Sequence, residues 1–247
     1  GVRADRTASC PARPADQESS RRGAGAATTL YTMDCGRLFT RNADDFADDG
    51  TFKGLSRDMV NPCYLVRHPS GDLMWDVGLP DGLALTHGRM SSGELVLTMP
   101  QTLASQLAVL GLTGGDIENV SFSHTHADHL GNGGLFAGAT FIVDARERAF
   151  LARADRRQRV AAAAGRDGRE VMNAFTALER AKTIEIRPDA EHDVFGDGSV
   201  VIYPAPGTGA GEAALVNTLS PGDRVLMAET GHFATLWNKL AQRLGLK

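Results

Sequence analysis

From Thr28 onward the chain alternates short apolar runs with turn-forming polar residues, the rhythm of a strand-rich fold with helices between the strands. The run TTLYTMDCG predicts a strand. CYLVRHPSGDLMWDVG predicts two strands joined through the turn His68-Pro69-Ser70-Gly71-Asp72, a hairpin that ends at Asp76. Leu103, Leu107 and Leu110 share one face of a helix predicted over Pro100 to Leu110, and Gly111 with Gly114-Gly115 stops it. Asn119 to Ser123 then reads as a short strand that delivers the sequence HTHADH at its carboxyl end, where strand-helix units place their ligand loops.

Further along, ATFIVD is a strand pattern, Ala145 to Ala164 an arginine-rich helix, and Arg169 to Ala181 a second helix. Strand patterns return at short spacing in TIEIRP, SVVIYPAP, AALVNTL and RVLMAE. A last amphipathic helix carries Leu236, Trp237, Leu240 and Leu244. Residues 1–27, rich in Arg, Ala, Ser, Pro and Gly without apolar periodicity, predict a flexible arm. Residues 28–247 are then one α/β domain of two packed sheets flanked by helices, with no tandem repeat.

The chemistry concentrates in one place. His124, His126, Asp128 and His129 fall within six residues, and imidazole nitrogens with a carboxylate are the donors that zinc and related divalent ions prefer. In extended backbone, residues two apart point the same way, so His124 and His126 can grip one ion while Asp128 and His129, past a bend at Ala127, face a second. Neither a core nor an ordinary turn needs four such residues so close together. His68 and His87, one in a hairpin turn and one in a Gly-rich loop, read as solvent-exposed. Met74, Trp75, Leu79 and Leu83 read as core first and as an acyl-chain pocket second.

The stretch SHTHADHLGN resembles the HxHxDH signature of the metallo-β-lactamase superfamily, and NPCYLVRHPSGDLMWDVGLPDG resembles the hairpin of its N-acyl homoserine lactonase-like branch. With YPAPG and RVLMAE the likeness extends over about residues 28–233. It implies an αββα four-layer sandwich with zinc as cofactor, two ions per chain where the site is complete. His124 and His126 would bind the first ion, Asp128 and His129 the second, and Asp76 would support the loop from behind. Gly131 and Asn132 match the turn after the motif. The implied reaction is the opening of a lactone ring, as in quorum-quenching hydrolysis of acyl homoserine lactones, by attack of a metal-bridging hydroxide.

The second half departs from that pattern. Where the family carries a histidine after Pro-Gly, Pro206-Gly207 runs into Thr208-Gly209-Ala210-Gly211, and His192 could substitute only by a rerouted path. Glu229 stands where a bridging aspartate is expected, either as a ligand or as an ordinary solvated glutamate. Three residues on, His232 is placed to stabilise the oxyanion or protonate the leaving group, joining Asp128 as a candidate catalytic residue. Three readings follow: a zinc-dependent lactonase, the same fold with an incomplete metal site acting as a binding protein, or a hydrolase of another ester, thioester or β-lactam.

Composition narrows these readings. A net charge of -4 with both signs interspersed offers no footprint for nucleic acid or an anionic membrane, so a small-molecule lactone or ester is the expected partner, and a homodimer is left open. No apolar run approaches the about 20 residues that cross a bilayer, which predicts a soluble protein, cytoplasmic or periplasmic. The chain opens on Gly1, which predicts a start upstream of this sequence. Cys10, Cys35 and Cys63, odd in number and widely spaced, predict incidental buried thiols without a disulfide framework.

Overall fold

A computed structural model of the chain describes residues 27–46, 50, 52–153, 155, 176–204, 222 and 232–246. Its centre is one mixed eight-stranded sheet. Two long strands, β1 (Thr29–Thr40) and β2 (Arg57–His68), pair antiparallel, and β2 turns through Pro69-Ser70 into β3 (Gly71–Trp75), the predicted hairpin. A short helix α1 (Asp81–Leu85) follows. A second hairpin of β4 (Met90–Ser92) and β5 (Leu95–Thr98) then adds to the outer edge of β1.

The other half of the sheet is parallel, because each strand returns through a helical crossover. Helix α2 (Leu103–Val109), capped by the Thr102 side chain accepting from the Ser105 amide, leads to β6 (Asn119–Ser121) beside β3. The loop helix α3 (Ala127–Leu130) leads to β7 (Thr140–Asp144), and α4 (Ala145–Ala152) leads toward β8 (Thr183–Ile186). The order is β4-β5-β1-β2-β3-β6-β7-β8. A two-stranded ribbon of β9 (His192–Asp193) and β10 (Val201–Ile202) and the helix α5 (His232–Arg243) complete the described elements.

The core gathers Leu65 and Met74 from the hairpin, Val120 and Phe141 from the parallel strands, Leu103 and Leu107 from α2, and Phe136 and Leu178, all fully buried. Met74, Leu79 and Leu83 belong to this core, so their apolar stripe is structural. Residues 176–180 are helical, within the second predicted helix, while the rest of that helix before residue 176 and most of the arginine-rich one beyond Ala152 lie outside the described residues. So do the predicted arm up to residue 26 and the strands AALVNTL and RVLMAE.

Two expectations are corrected. Cys35 and Cys63 form a disulfide, with Cα atoms 5.7 Å apart. Their separation of 28 residues hides the fact that β1 and β2 lie side by side, with Met33 opposite Cys63 and a bulge between Asp34 and Arg37. His68 is buried rather than exposed. The segment 195–197 folds over it: Phe195 stacks on the imidazole at 4.2 Å between centroids, and Asp197 lies 2.9 Å from Nε2.

Candidate metal centre

Strand β3 ends at Trp75 and its parallel neighbour β6 ends at Ser121, paired in register, so the residues that follow them emerge together at the carboxyl edge of the sheet. From β3 comes Asp76, held in the left-handed region at φ 56, with its amide donating to the Ser121 carbonyl at 2.9 Å. From β6 comes the loop of Ser123 to Leu130. Asp76 binds it through both carboxylate oxygens: Oδ1 accepts from the Ser123 amide at 2.7 Å, the Ser123 hydroxyl lies 3.2 Å from each oxygen, and Oδ2 lies 2.9 Å from Nδ1 of His129.

That contact decides how His129 faces. With Nδ1 directed at a carboxylate, Nε2 is the nitrogen turned to the loop interior, 3.3 Å from Asp128 Oδ2. On the other side, His124 Nε2 and His126 Nδ1 are 3.0 Å apart, and the His124 and His129 rings lie 4.2 Å apart between centroids. Zinc-nitrogen bonds of about 2.0–2.1 Å in a tetrahedron put two ligand atoms about 3.3 Å apart. The two donor pairs, His124 with His126 and Asp128 with His129, have nearly that spacing, so the residues present fit divalent ions. Each ion would have two of its ligands here. Among the described residues, no group of three or more His, Cys, Asp or Glu is placed to hold a metal ion.

The electrostatics follow the same pairing. Burial opposes charge on His129, but its hydrogen bonds with Asp128 and Asp76 and the attraction of both carboxylates outweigh burial and push its pKa up to about 9. Burial also opposes charge on Asp128, yet the hydrogen bond and charge of His129 hold its carboxyl below the usual range. His124 moves the other way. Burial, then the nearby His129 and His126, lower its pKa, which favours the neutral imidazole that a metal needs.

The loop is gripped from below by Asn132, which the sequence placed in the turn after the motif, and by Asn61 and Glu147, which sequence reasoning missed. Asn61 on β2 donates its side-chain amide to the Asp128 carbonyl, and Asn132 donates to the Val77 and Leu79 carbonyls while accepting from the Asp81 amide at 2.7 Å. Glu147 on α4 accepts from both the hydroxyl and the amide of Thr125. Asn61 and Glu147 sit 67 and 22 residues from their partners, and no local spacing announces them. Of the remaining expected site residues, Glu229 and Thr208 lie outside the described residues, and His232 is placed only as the first residue of α5.

Comparison with known proteins adds to this geometry. The profile of the metallo-beta-lactamase superfamily matches residues 57–228. The chain belongs to that superfamily. The N-acyl homoserine lactonase AttM of Azorhizobium caulinodans is 26% identical to it over 220 residues, 86% of this chain and 80% of that protein. A B. thuringiensis AiiA mutant solved with N-decanoyl-L-homoserine at its active site superposes with a TM-score of 0.53 at 20% identity, over 72% of this chain and 65% of that one. The fold is the αββα sandwich of that superfamily, and the eight-stranded sheet is the larger of its two described sheets.

A second kind of likeness is local. A stretch of 51 residues is 55% identical to the serine–glyoxylate aminotransferase of Hyphomicrobium methylovorum, 21% of this chain and only 13% of that enzyme. The chain thus spans about an eighth of that relative's length.

Proposed function

We propose that this protein is a metal-dependent hydrolase that opens the lactone ring of N-acyl homoserine lactones, with zinc as its metal. The observation that carries the reading is the pairing of four donors at 124–129 under the grip of Asp76, and the likeness to the AttM lactonase over 86% of the chain supports the substrate class. His124 and His126 would hold one ion, Asp128 and His129 the other, with Glu229 completing the pair. Divalent ions in such a cradle polarise an ester carbonyl and bring the pKa of water toward neutrality.

The chain's own residues do the rest. The Asp76 carboxylate fixes the face that His129 presents, and Ser123 locks Asp76 in turn through its amide at 2.7 Å. Asp128, kept ionised by His129, is the acceptor for a proton released during attack, and His232 at the start of α5 is the donor for the leaving alkoxide. The product is an open N-acyl homoserine, one acid group per ring.

A second reading keeps the fold with a partial metal site and a binding role. Thr208 in place of the family's histidine favours it, because a first ion with only two protein ligands would bind weakly. One experiment separates the two. Purified protein supplied with zinc is assayed for bound metal and for acid release from N-decanoyl-homoserine lactone, beside the His126→Ala variant. A lactonase carries close to two ions and loses at least about 100-fold in rate on that substitution. Full metal with equal hydrolysis by the variant sinks the mechanism, and one ion or none without hydrolysis supports the binding role.

A further inference from the structure

Between the two histidines of the first donor pair lies Thr125. The imidazoles of His124 and His126 meet with Nε2 and Nδ1 3.0 Å apart, while Thr125 between them is buried at 2% exposure. A buried hydroxyl needs a partner, and it finds one on a different element. Glu147 Oε2 accepts from Thr125 Oγ1 at 2.6 Å and from the Thr125 amide at 3.1 Å.

Glu147 is itself well anchored. It lies in the first turn of α4, where a helix favours negative charge, and α4 starts at Asp144, the end of β7 and cap of its own first turn at 2.6 Å to the Arg146 amide. Strand β7 is hydrogen-bonded in parallel to β6, from which the histidine loop emerges. The carboxylate therefore ties the peptide linking His124 to His126 onto a rigid strand-helix unit. Both of its accepted bonds come from Thr125, so it acts on the metal position through that residue.

We propose that Glu147 is a positioning residue that sets the spacing of His124 and His126 by clamping Thr125, and so controls the affinity of the first metal position. The inference rests on the metal reading above. Removing the carboxylate leaves the Thr125 hydroxyl and amide buried without an acceptor, and the loop can relieve that only by shifting the backbone that holds the two imidazoles. Outer partners of metal ligands typically carry about 10–100-fold in metal affinity.

The test is a zinc titration against a competing chromophoric chelator, for the full chain and for Glu147→Ala, Glu147→Gln and Thr125→Val, with thermal unfolding of each in chelator. Glu147→Ala is expected to weaken one of the two zinc affinities about 10–100-fold and leave the other within a few-fold. Glu147→Gln, which keeps an acceptor oxygen, restores most of the loss. Thr125→Val, which removes only the hydroxyl bond, gives a smaller loss at the same position and covers the case in which Glu147→Ala does not fold. Zinc uptake by the unmodified chain with unchanged affinities in Glu147→Ala and Thr125→Val overturns this inference alone. So does an equal weakening of both ions in step with a lower unfolding midpoint, since that is general loosening. No zinc uptake by the unmodified chain overturns the metal reading and this inference together.

Discussion

Gly131 closes the histidine loop against the chain that leaves β3, and it has no room for a side chain. A Cβ there would lie 2.5 Å from Pro80 Cδ and 2.6 Å from the Gly78 carbonyl oxygen, both parts of the backbone or of a rigid ring. Gly131→Ala must therefore push apart the two segments that Asn132 staples together, and a cost of about 1–3 kcal/mol is expected from overpacking a closed contact. Its unfolding midpoint should fall by several degrees and its zinc affinity with it. A variant that melts with the unmodified chain would mean the contact is loose. His129 gives a second prediction, with a sign that can be worked out. Its pKa of about 9 in the folded protein exceeds its ordinary value near 6.5, so its ion pair with Asp76 and Asp128 stabilises fully below about pH 6.5 and fades as pH rises through about 9. Asp128, depressed by the same partner, contributes above the ordinary carboxylate range and loses its contribution at lower pH. Metal-free protein should thus melt at a higher temperature at pH 6 than at pH 9.5. His129→Gln should flatten that slope, and an unchanged slope in the variant would place its cause elsewhere.

Among elements, the link between β1 and β2 matters most to the site. The Cys35 carbonyl accepts from the Leu79 amide at 3.0 Å, Gly78 packs so close that a Cβ would meet Cys35 Cβ at 2.4 Å, and Asn61, two residues before Cys63, reaches the Asp128 carbonyl. A disulfide closing a loop of this length contributes about 3–4 kcal/mol by restricting the unfolded chain. The paired Cys35→Ala, Cys63→Ala variant should lose most of that in chemical denaturation, and a strong thiol reductant should mimic it; a denaturation midpoint indifferent to both would exclude a stabilising bridge. The same region shows what sequence alone could reach. The hairpin β2-β3, helix α2 and the histidine loop were legible because their signals are local: Pro69-Ser70 between apolar runs, leucines at helical spacing, four donors in six residues. The β4-β5 hairpin was missed, since β4 is three residues with only Met90 apolar and its pairing is fixed by β1 rather than by its own pattern. The disulfide, the burial of His68 under Phe195 and the Glu147 and Asn61 anchors were missed for one shared reason. Each joins residues brought together by strand order, which spacing along the chain does not encode.

For the whole molecule, the question is whether the ligands gathered at the sheet edge and those expected near Glu229 act as one centre. The aminotransferase likeness covers 21% of this chain and 13% of that enzyme, so it carries no statement about the whole enzyme's activity here. Whether the four donors gathered at the sheet edge belong to one metal centre is decided by whether the folded chain takes up zinc. If it does, metal binding belongs to the folded state and is lost on unfolding, so free zinc must raise stability by mass action. At a free concentration about 100 times the dissociation constant the gain is about 2.7 kcal/mol. In a domain of this size that corresponds to a rise of about 5–10 °C in the unfolding midpoint. Protein stripped with a chelator should therefore melt lower, climb with added zinc in proportion to the logarithm of its concentration, and do so less steeply as His126→Ala. A midpoint that ignores zinc across that range would mean that the folded chain holds no ion, and the four donors at the sheet edge would then be a cradle without a function in catalysis.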